Sequence, residues 1–583
     1  MQNRPTLRLA CVHLAVGLLA AAGCGRSKQI VGMVDNPGVD SGEDLPVAHI
    51  DSGMPEAPGG DGGAGDHILP SPLVPEWNCG PTCFRAPEIA PTPNPVMRFG
   101  GPVDPNPADK PVIAYPFAGS LHPVNLADLT VQWRRAMGGA QHLFRIRVSG
   151  PSGAAAVHFD FLVPCQPPPG SAVPEECMYT LPPGAWLDTL GKNRGQHMDI
   201  AIAAVDSTPG KNNQVATSDS LRLDVSPDKL EGGLYYWSTK ISGTYRLLFG
   251  ARKAQVFISP NTPVNPTACS GCHSASLNGN VVAFTAGDAE GSLVVTKSGD
   301  PSAPFFKMSD VPDSSTIALN PDGTRALVAN QSHLVLHDTS DGQVLAMVDP
   351  ALWGTDHAAY FPEWSPDGKD VVVTLSTMAD NDYTVRDGDI AILPYDAGSF
   401  GPARTVAPGS ATDFNYYPTW SPDGKWIAFA TAHVGAGRTS YSQAGSRLRL
   451  VARDGGRIWE LAKATHLQDH SSSWPKFAPY TQSNGNVLYL SFNSKIDYGF
   501  ILKNSASPND GAKRPQLWLT AIDIRDLPTG DPSRPPLWLP VQDVAQSNHL
   551  GSWTERLGCP VAGETTGCAD DEICDKDQYC ARP

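Results

Sequence analysis

Short apolar runs, rich in β-branched and aromatic side chains, recur along the chain between groups of glycine, proline, asparagine and aspartate. Clear examples are "VVAFT" from Val281, "VVVT" from Val371 and "WIAFA" from Trp426. Runs of this length and composition, bounded by turn residues, are typical of strands. The pattern therefore predicts an all-β protein.

Each of these runs follows a tight turn, and the turns form a repeat. They begin 44, 45 and 56 residues apart, at Ser276, Asn320, Ser365 and Ser421. In Ser-Pro-Asp-Gly the proline presets φ at the second position and the glycine supplies a positive φ at the fourth, so we expect positive φ at Gly323, Gly368 and Gly424. A spacing near 45 residues is that of a four-stranded propeller blade.

Two further segments complete the predicted ring. A degenerate copy of the repeat begins at Ser473, and "GLYYWSTKISGTYRLLFG" from Gly233 supplies another blade. We expect "LWLP" or "NHLGSWT", near the C-terminal end of the repeats, to close that blade by pairing with its strands. The prediction is a six-bladed propeller over residues 232–555, with seven blades as the nearest alternative.

The two best copies of the repeat point to a family. "PEWSPDGK" from Pro362 and "PTWSPDGK" from Pro418 resemble the repeats of the TolB-like propellers, the PD40 class. The resemblance covers about residues 232–555 and implies the propeller fold. We expect Trp364 and Trp420 to pack between blades rather than to stack on a cofactor.

A second β domain is expected before the propeller. Over residues 94–227, runs such as "HMDIAIAAVD" alternate apolar and polar positions, and the segment resembles a fibronectin or immunoglobulin-like β-sandwich. Cys165 and Cys177 flank "QPPPGSAVPEE" and are expected to close this loop. The domain has no catalytic motif and is interpreted as a spacer or binding module.

The N-terminus has the pattern of an export signal. Residues 1–23 carry two arginines and then an apolar run, and the ending "LLAAAGC" resembles a bacterial lipobox, which implies lipidation of Cys24. The alternatives are ordinary cleavage and an unmodified Cys24. Residues 24–75 are acidic and rich in glycine and proline, which predicts a disordered tether. We expect an outer-membrane lipoprotein of the cell envelope, facing the periplasm or the cell surface and held to the membrane by its lipid.

Charge and cysteine content restrict the chemistry. The formal charge of −16 over 583 residues argues against a nucleic-acid partner. In an exported chain the locally grouped cysteines predict disulfides, and these groups are Cys79 with Cys83, Cys165 with Cys177, Cys269 with Cys272, and Cys559, Cys568, Cys574 and Cys580. The last four lie in a tail, residues 556–583, which allows three connectivities, with a zinc site as the alternative.

The segment "CSGCH" has the spacing of a covalent haem site. Cys269 and Cys272 would form the thioethers of one haem c, and His273 would be the axial ligand of its iron. Aligned with the repeat, His273 and Ser274 fall in the register of Pro362 and Glu363, which we interpret as an outer-strand position on a loop leading into a blade. The alternatives are a disulfide between the two cysteines, a redox dithiol and a zinc site.

A CxxCH motif on a propeller resembles the haem-bearing propeller of the hydrazine synthase alpha subunit and its relatives, a likeness of motif and fold that does not extend to activity. The sixth ligand is not indicated by the sequence, and the propeller offers these candidates: Met308, His333, His337, His357, Met378 and His470. The expected role is electron transfer or another redox function with an envelope partner. The alternative is a propeller scaffold without haem, and a hydrolase is disfavoured because no G-x-S-x-G motif occurs.

Overall fold

The computed structural model describes residues 74–75, 82–89 and 95–581, and it leaves out these segments within the last range: 139–140, 152–157, 207–212, 268, 288–291, 309–313, 331–332, 355, 382–383, 434–439, 442, 466–470, 508–511, 560–562, 564–567 and 569–572. The predicted signal peptide, Cys24, Cys79 and His470 therefore lie outside the described residues. Within the described part, no helix has both the length and the apolar character that a membrane span requires.

The first domain is a β-sandwich. Its strands are β1 (Val74–Pro75), β2 (Cys83–Arg85), β3 (Val112–Tyr115), β4 (Leu121–His122), β5 (Thr130–Arg134), β6 (Gln141–Ser149), β7 (His158–Pro164), β8 (Glu176–Thr180), β9 (His197–Asp206), β10 (Gln214–Thr217) and β11 (Leu221–Val225). One sheet has the order β1-β2-β7-β6-β9-β11-β4, with β10 on β9, and the other has the order β3-β5-β8. The sheets meet where Trp133 packs on Phe144, with ring centroids 5.2 Å apart. The two-sheet prediction is confirmed.

The boundaries of this domain differ from the prediction. Val74 and Pro75, the last residues of the expected tether, pair with Arg85 and Phe84, and β2 joins the large sheet parallel to β7. A helix that the strand pattern did not indicate, α1 (Pro183–Lys192), begins with proline at its first turn and buries Trp186 and Leu190 in the core. The expected disulfide between Cys165 and Cys177 is present.

The second domain is a six-bladed propeller. Blade 1 contains β12 (Gly233–Ser238), β13 (Gly243–Leu248), β14 (Gln255–Ile258) and β38 (Asn548–Thr554); blade 2 contains β15 (Ser270–Ala275), β16 (Val281–Ala286), β17 (Ser292–Lys297) and β18 (Pro304–Met308); blade 3 contains β19 (Ser314–Leu319), β20 (Arg325–Asn330), β21 (His333–Asp338) and β22 (Val344–Met347). Blade 4 contains β23 (Ala358–Trp364), β24 (Asp370–Ser376), β27 (Asp389–Asp396), β28 (Ser399–Phe400) and β29 (Arg404–Ala407), with an inserted hairpin of β25 (Met378–Asn381) and β26 (Thr384–Arg386).

Blade 5 contains β30 (Asp413–Trp420), β31 (Trp426–His433), β32 (Arg447–Ala452) and β33 (Ile458–Glu460), and blade 6 contains β34 (Ser473–Gln482), β35 (Val487–Ser494), β36 (Gln516–Asp523) and β37 (Leu537–Trp538). The innermost strands β38, β15, β19, β23, β30 and β34 follow one another around a central channel. The ring is closed by β38, which contains "NHLGSWT" and pairs with β12. "LWLP" instead begins the outer strand of blade 6.

The repeated turns have the predicted geometry. Gly323, Gly368 and Gly424 have φ of +76°, +69° and +67°, as expected for a turn that only glycine enters without strain. The repeated tryptophans join neighbouring blades, because the indole nitrogen of Trp364 donates to Ala318 O in blade 3 and that of Trp420 donates to Glu363 O in blade 4, each at 3.2 Å. Both predictions are confirmed.

The tail packs against blades 1 and 2, where Arg246 donates to Gly558 O and the Tyr579 hydroxyl donates to Asn280 Oδ1. It contains the two short strands β39 (Ile573–Cys574) and β40 (Cys580–Ala581), and its disulfides join Cys559 to Cys574 and Cys568 to Cys580. Cys559, Cys568 and Cys580 form the one cluster of potential metal ligands found among the described residues, but their sulfurs are in disulfides. The zinc alternative for the tail is therefore wrong.

Candidate functional site

The CxxCH segment lies on an innermost strand of the propeller. Cys272 and His273 belong to β15, whose next neighbours around the channel are β38 and β19. The alignment of His273 with Pro362 was correct, but the interpretation as an outer-strand position on a loop was wrong. The turn repeat shows which strands form a hairpin, whereas the side of the hairpin that faces the channel depends on contacts between blades.

The two cysteines differ in chemical state. Cys269 is disulfide-bonded, whereas Cys272 is a reduced thiol, so the two are not bonded to each other. Both are buried, with 5% and 6% exposure. Strand β15 has a bulge between Ser270 and His273, which changes the regular alternation of side chains within the motif. The alternative of a disulfide between Cys269 and Cys272 is therefore wrong.

His273 is enclosed at the channel. Both of its ring nitrogens are buried, and the backbones of Tyr235 and Leu550 interact with the ring only through long or poorly aligned hydrogen bonds. Burial lowers the pKa of His273 to about 4, and the positive charge of Lys476 acts in the same direction. An imidazole in this state is neutral at physiological pH and keeps the lone pair that a metal ligand needs.

An aromatic cavity opens beside the motif. It encloses about 60 Å³ and is lined by Cys272 and His273 together with residues from the innermost strands of the other five blades. Tyr417 and Trp474 stack in its wall with ring centroids 3.7 Å apart, and Phe361 lies 4.3 Å from Tyr417. This volume is well below the roughly 300–1,000 Å³ usual for small-molecule and cofactor pockets, so a haem would need the cavity to widen.

The backbone of this wall is strained at equivalent positions of four blades. Phe361, Tyr417, Trp474 and Leu550 all have positive φ, between 50° and 58°. Each lies on an innermost strand and precedes a proline or a glycine. In a bulky residue this conformation costs roughly 1–2 kcal/mol of conformational free energy. Residues with such unusual backbone angles are concentrated at ligand sites. The four residues therefore strengthen the assignment of this cavity as the candidate site.

An ion pair crosses the channel below the aromatic residues. Lys476 Nζ of blade 6 contacts Glu363 Oε2 of blade 4, while Glu363 Oε1 accepts a hydrogen bond from Thr419 Oγ1 at 2.6 Å. Burial lowers the pKa of Lys476 to about 8. Lys476 lines both the aromatic cavity and a second cavity of about 110 Å³ on the turn side of the propeller, which Glu363 also lines.

Sequence reasoning missed three aromatic residues, of which Trp237 contacts β15 and the other two pack behind it. The indole nitrogen of Trp237 donates to Ser270 O at 2.7 Å, and the Trp237 ring lies 4.7 Å from the ring of His549 on β38. Tyr441, from the loop between β31 and β32, places its hydroxyl 3.3 Å from His549 Nδ1. The signal that could have indicated His549 was its place in "NHLGSWT", the segment expected to close blade 1 next to blade 2.

The described candidates for a sixth ligand lie on strands and loops other than the strand that carries the motif. Met308 lies on β18, His333 and His337 lie on β21, and Met378 lies on the inserted hairpin of blade 4. His337 Nδ1 is bound to Gly342 O at 3.1 Å, and His357 Nδ1 lies 2.9 Å from Asp356 Oδ1. His470 lies outside the described residues.

The residues around β15 fit a covalently held haem in two respects and depart from it in two. They supply a thiol at Cys272 and an imidazole with buried ring nitrogens at His273. The departures are the small volume of the adjoining cavity and Cys269, because a sulfur in a disulfide cannot form a thioether. Haem attachment therefore requires Cys269 as a thiol.

Comparisons with known proteins add little beyond the fold. No family model and no curated protein matches the chain. Solved structures similar to part of it include a putative 6-phosphogluconolactonase from Bacteroides uniformis (12% identity, 55% of this chain and 95% of that chain, TM-score 0.25), the WD40 domain of SCAP from fission yeast (10%, 44% and 63%, 0.25) and an ancestral GH74 enzyme (11%, 49% and 34%, 0.31). Such scores carry no argument about function, and the propeller rests on its own strand pairing.

Proposed function

We propose that the protein is an exported propeller that binds one haem c covalently through Cys269 and Cys272, with His273 as an axial ligand, and that it serves electron transfer or another redox reaction. A haem supplies one-electron chemistry when it is bound. The observation that carries the proposal is that Cys272 and His273, a neutral imidazole with buried ring nitrogens, line one aromatic cavity.

A second candidate function is a binding scaffold without haem. The disulfide at Cys269 favours it, because oxidation of that sulfur removes one of the two attachment points. In that case the aromatic cavity would bind another ligand or an envelope partner. The two candidates differ in the fate of Cys269, which can be measured directly.

The deciding experiment is expression of the full chain in a bacterial host with a cytochrome c maturation system. We expect pigment that survives denaturation and acid–acetone extraction, and a peptide containing Cys269 to His273 whose mass includes one haem. The double variant Cys269→Ala/Cys272→Ala should lose the pigment. The matched control is Cys165→Ala/Cys177→Ala, which removes a disulfide of the sandwich and should keep it. Colourless wild-type protein with Cys269 still in a disulfide would establish the scaffold instead.

The proposal includes lipidation at Cys24, which rests on the lipobox-like "LLAAAGC". Labelled palmitate should enter the wild-type protein in a host with lipoprotein processing. Cys24→Ser should abolish the label, whereas Cys11→Ser, inside the expected signal peptide, should leave it unchanged. Equal labelling of Cys24→Ser and wild type would exclude the anchor.

A further inference from the structure

The aromatic cavity in the channel is lined by two polar groups that the protein itself does not satisfy. The indole nitrogen of Trp474 and the hydroxyl of Thr316 are buried and have no hydrogen-bond partner among the described residues. Each of the two residues is 7% exposed. Buried polar groups are ordinarily hydrogen-bonded, so two unpartnered ones on one small cavity indicate an occupant that bonds to both.

The two groups approach the cavity from opposite sides of the channel. Trp474 lies on β34 of blade 6 and Thr316 lies on β19 of blade 3, which is three blades away in a ring of six. The Trp474 ring stacks on Tyr417 and stands edge-on to Phe361 at 6.1 Å, so the direction of its N–H bond is fixed. Because an indole nitrogen only donates, the occupant must present a hydrogen-bond acceptor.

The cavity also has a cationic side chain. Lys476 supplies the single charged group among the described residues that line it, whereas Glu363 lines only the second cavity. An ammonium group has three N–H donors, so the contact with Glu363 leaves donors for another acceptor. Glu363 is not held by Lys476 alone, because it also accepts hydrogen bonds from Thr419 Oγ1 at 2.6 Å and Trp420 N at 3.2 Å.

The volume of the cavity restricts the size of the occupant. A cavity needs roughly 10–15 Å³ for each water-sized group, so about 60 Å³ accommodates about four such groups. Formate, nitrate and acetate are within this size, whereas a phosphate ester is not. An anion of this kind has oxygen acceptors for the N–H groups and a charge that Lys476 attracts.

We propose that this cavity binds a small monovalent anion, either a carboxylate or an inorganic oxyanion, through Lys476, Trp474 and Thr316. The two kinds of anion share the oxygen acceptors that these donors require. The inference is independent of the proposed function, because the site needs neither cysteine of the CxxCH segment and no haem.

The test uses the full-length protein and saturation-transfer difference NMR with formate as the probe. Wild type should give a saturable formate signal. Acetate that displaces formate at a lower concentration than nitrate does would assign the site to carboxylates, and the reverse order would assign it to inorganic oxyanions. Either order supports the site.

Variants of the three donors test their roles. Lys476→Met should weaken formate binding about 10-fold or more, because it removes a charged donor. Trp474→Phe keeps an aromatic ring in the wall and Thr316→Val keeps the side-chain shape, and each should weaken binding about 2- to 10-fold through loss of one hydrogen bond. The matched control is Lys425→Met, which removes an exposed lysine bound to Asp423 and should leave binding unchanged.

Near-ultraviolet circular dichroism verifies that each variant is folded. Absence of a saturable formate signal in folded wild type would overturn the inference, and so would equal formate affinity in wild type, Trp474→Phe and Thr316→Val. Either result would mean that the cavity contains water only. The absorbance of each sample measures its haem content, so failure of the proposed function is recorded separately from failure of anion binding.

Discussion

At the residue scale, burial decides which titratable groups matter for stability. His122 is fully buried in the sandwich, with its Nε2 3.1 Å from Ser120 Oγ and its ring edge-on to Trp186 at 5.7 Å. Burial lowers its pKa to about 3. The folded state therefore keeps His122 neutral at a pH where the unfolded chain already binds a proton, since an unperturbed histidine titrates near pH 6.5.

This difference predicts a pH dependence of stability. The contribution of neutral His122 is fully present above about pH 6.5 and is lost progressively as the pH falls toward 3, because the unfolded state binds the extra proton. Between pH 7 and pH 5 the loss should be about 2 kcal/mol in the free energy of unfolding by urea. His122→Gln should remove that part of the loss, whereas His142→Gln, an exposed histidine on β6, should not. The same pH slope in His122→Gln and wild type would contradict the assignment.

At the element scale, the features that the sequence predicted correctly are local ones. The hairpins at Gly323, Gly368 and Gly424 follow from four consecutive residues, and the disulfide of Cys165 with Cys177 spans a short proline-rich loop. Helix α1 was missed because it sits between strands and its amphipathic pattern is short. The pairing of the tail cysteines was left open, since spacing alone permits three connectivities.

The candidate site was predicted only in part for a related reason. The CxxCH motif indicates Cys269, Cys272 and His273 as candidate site residues without knowledge of the fold. The placement of β15 on the channel, the contact of Trp237 with Ser270 and the approach of His549 all depend on how separate blades pack. Contacts between residues hundreds of positions apart leave no periodic pattern in the chain, so the sequence could not indicate them.

At the scale of the whole molecule, the sandwich is docked on blade 6. Gln132 Oε1 accepts hydrogen bonds from the amides of Phe500 and Ile501 at 2.7 and 3.1 Å, and Tyr115 lies edge-on to Tyr498 with ring centroids 4.8 Å apart. The loop between β35 and β36 supplies these propeller residues. An interface that combines backbone hydrogen bonds with aromatic contacts should couple the unfolding of the two domains.

One ion pair at this interface is largely buried. Glu176 of β8 is 1% exposed, and its carboxylate accepts hydrogen bonds from Lys503 Nζ at 2.8 and 2.6 Å, and from Ser171 Oγ at 2.6 Å. Burial alone would raise the pKa of Glu176, but the hydrogen bonds with Lys503 and Ser171 outweigh it and lower the pKa. The folded protein therefore keeps a charged carboxylate at the domain junction, where its cationic partners are Lys503 of the propeller and Arg134 of the sandwich, 3.4 Å away.

Lys503→Met should weaken this junction, because it leaves a buried carboxylate with incomplete compensation. We expect a loss of about 1–3 kcal/mol, discounted from the cost of breaking a fully buried pair because the lysine is partly exposed. In differential scanning calorimetry the sandwich should then melt separately and before the propeller. The matched control is Lys192→Met, which removes an exposed lysine bound to Asp188 within α1 and should change stability by less than about 0.5 kcal/mol. If the two variants melt alike, the Glu176–Lys503 pair does not couple the domains, and the aromatic contacts around Tyr115 must do so instead.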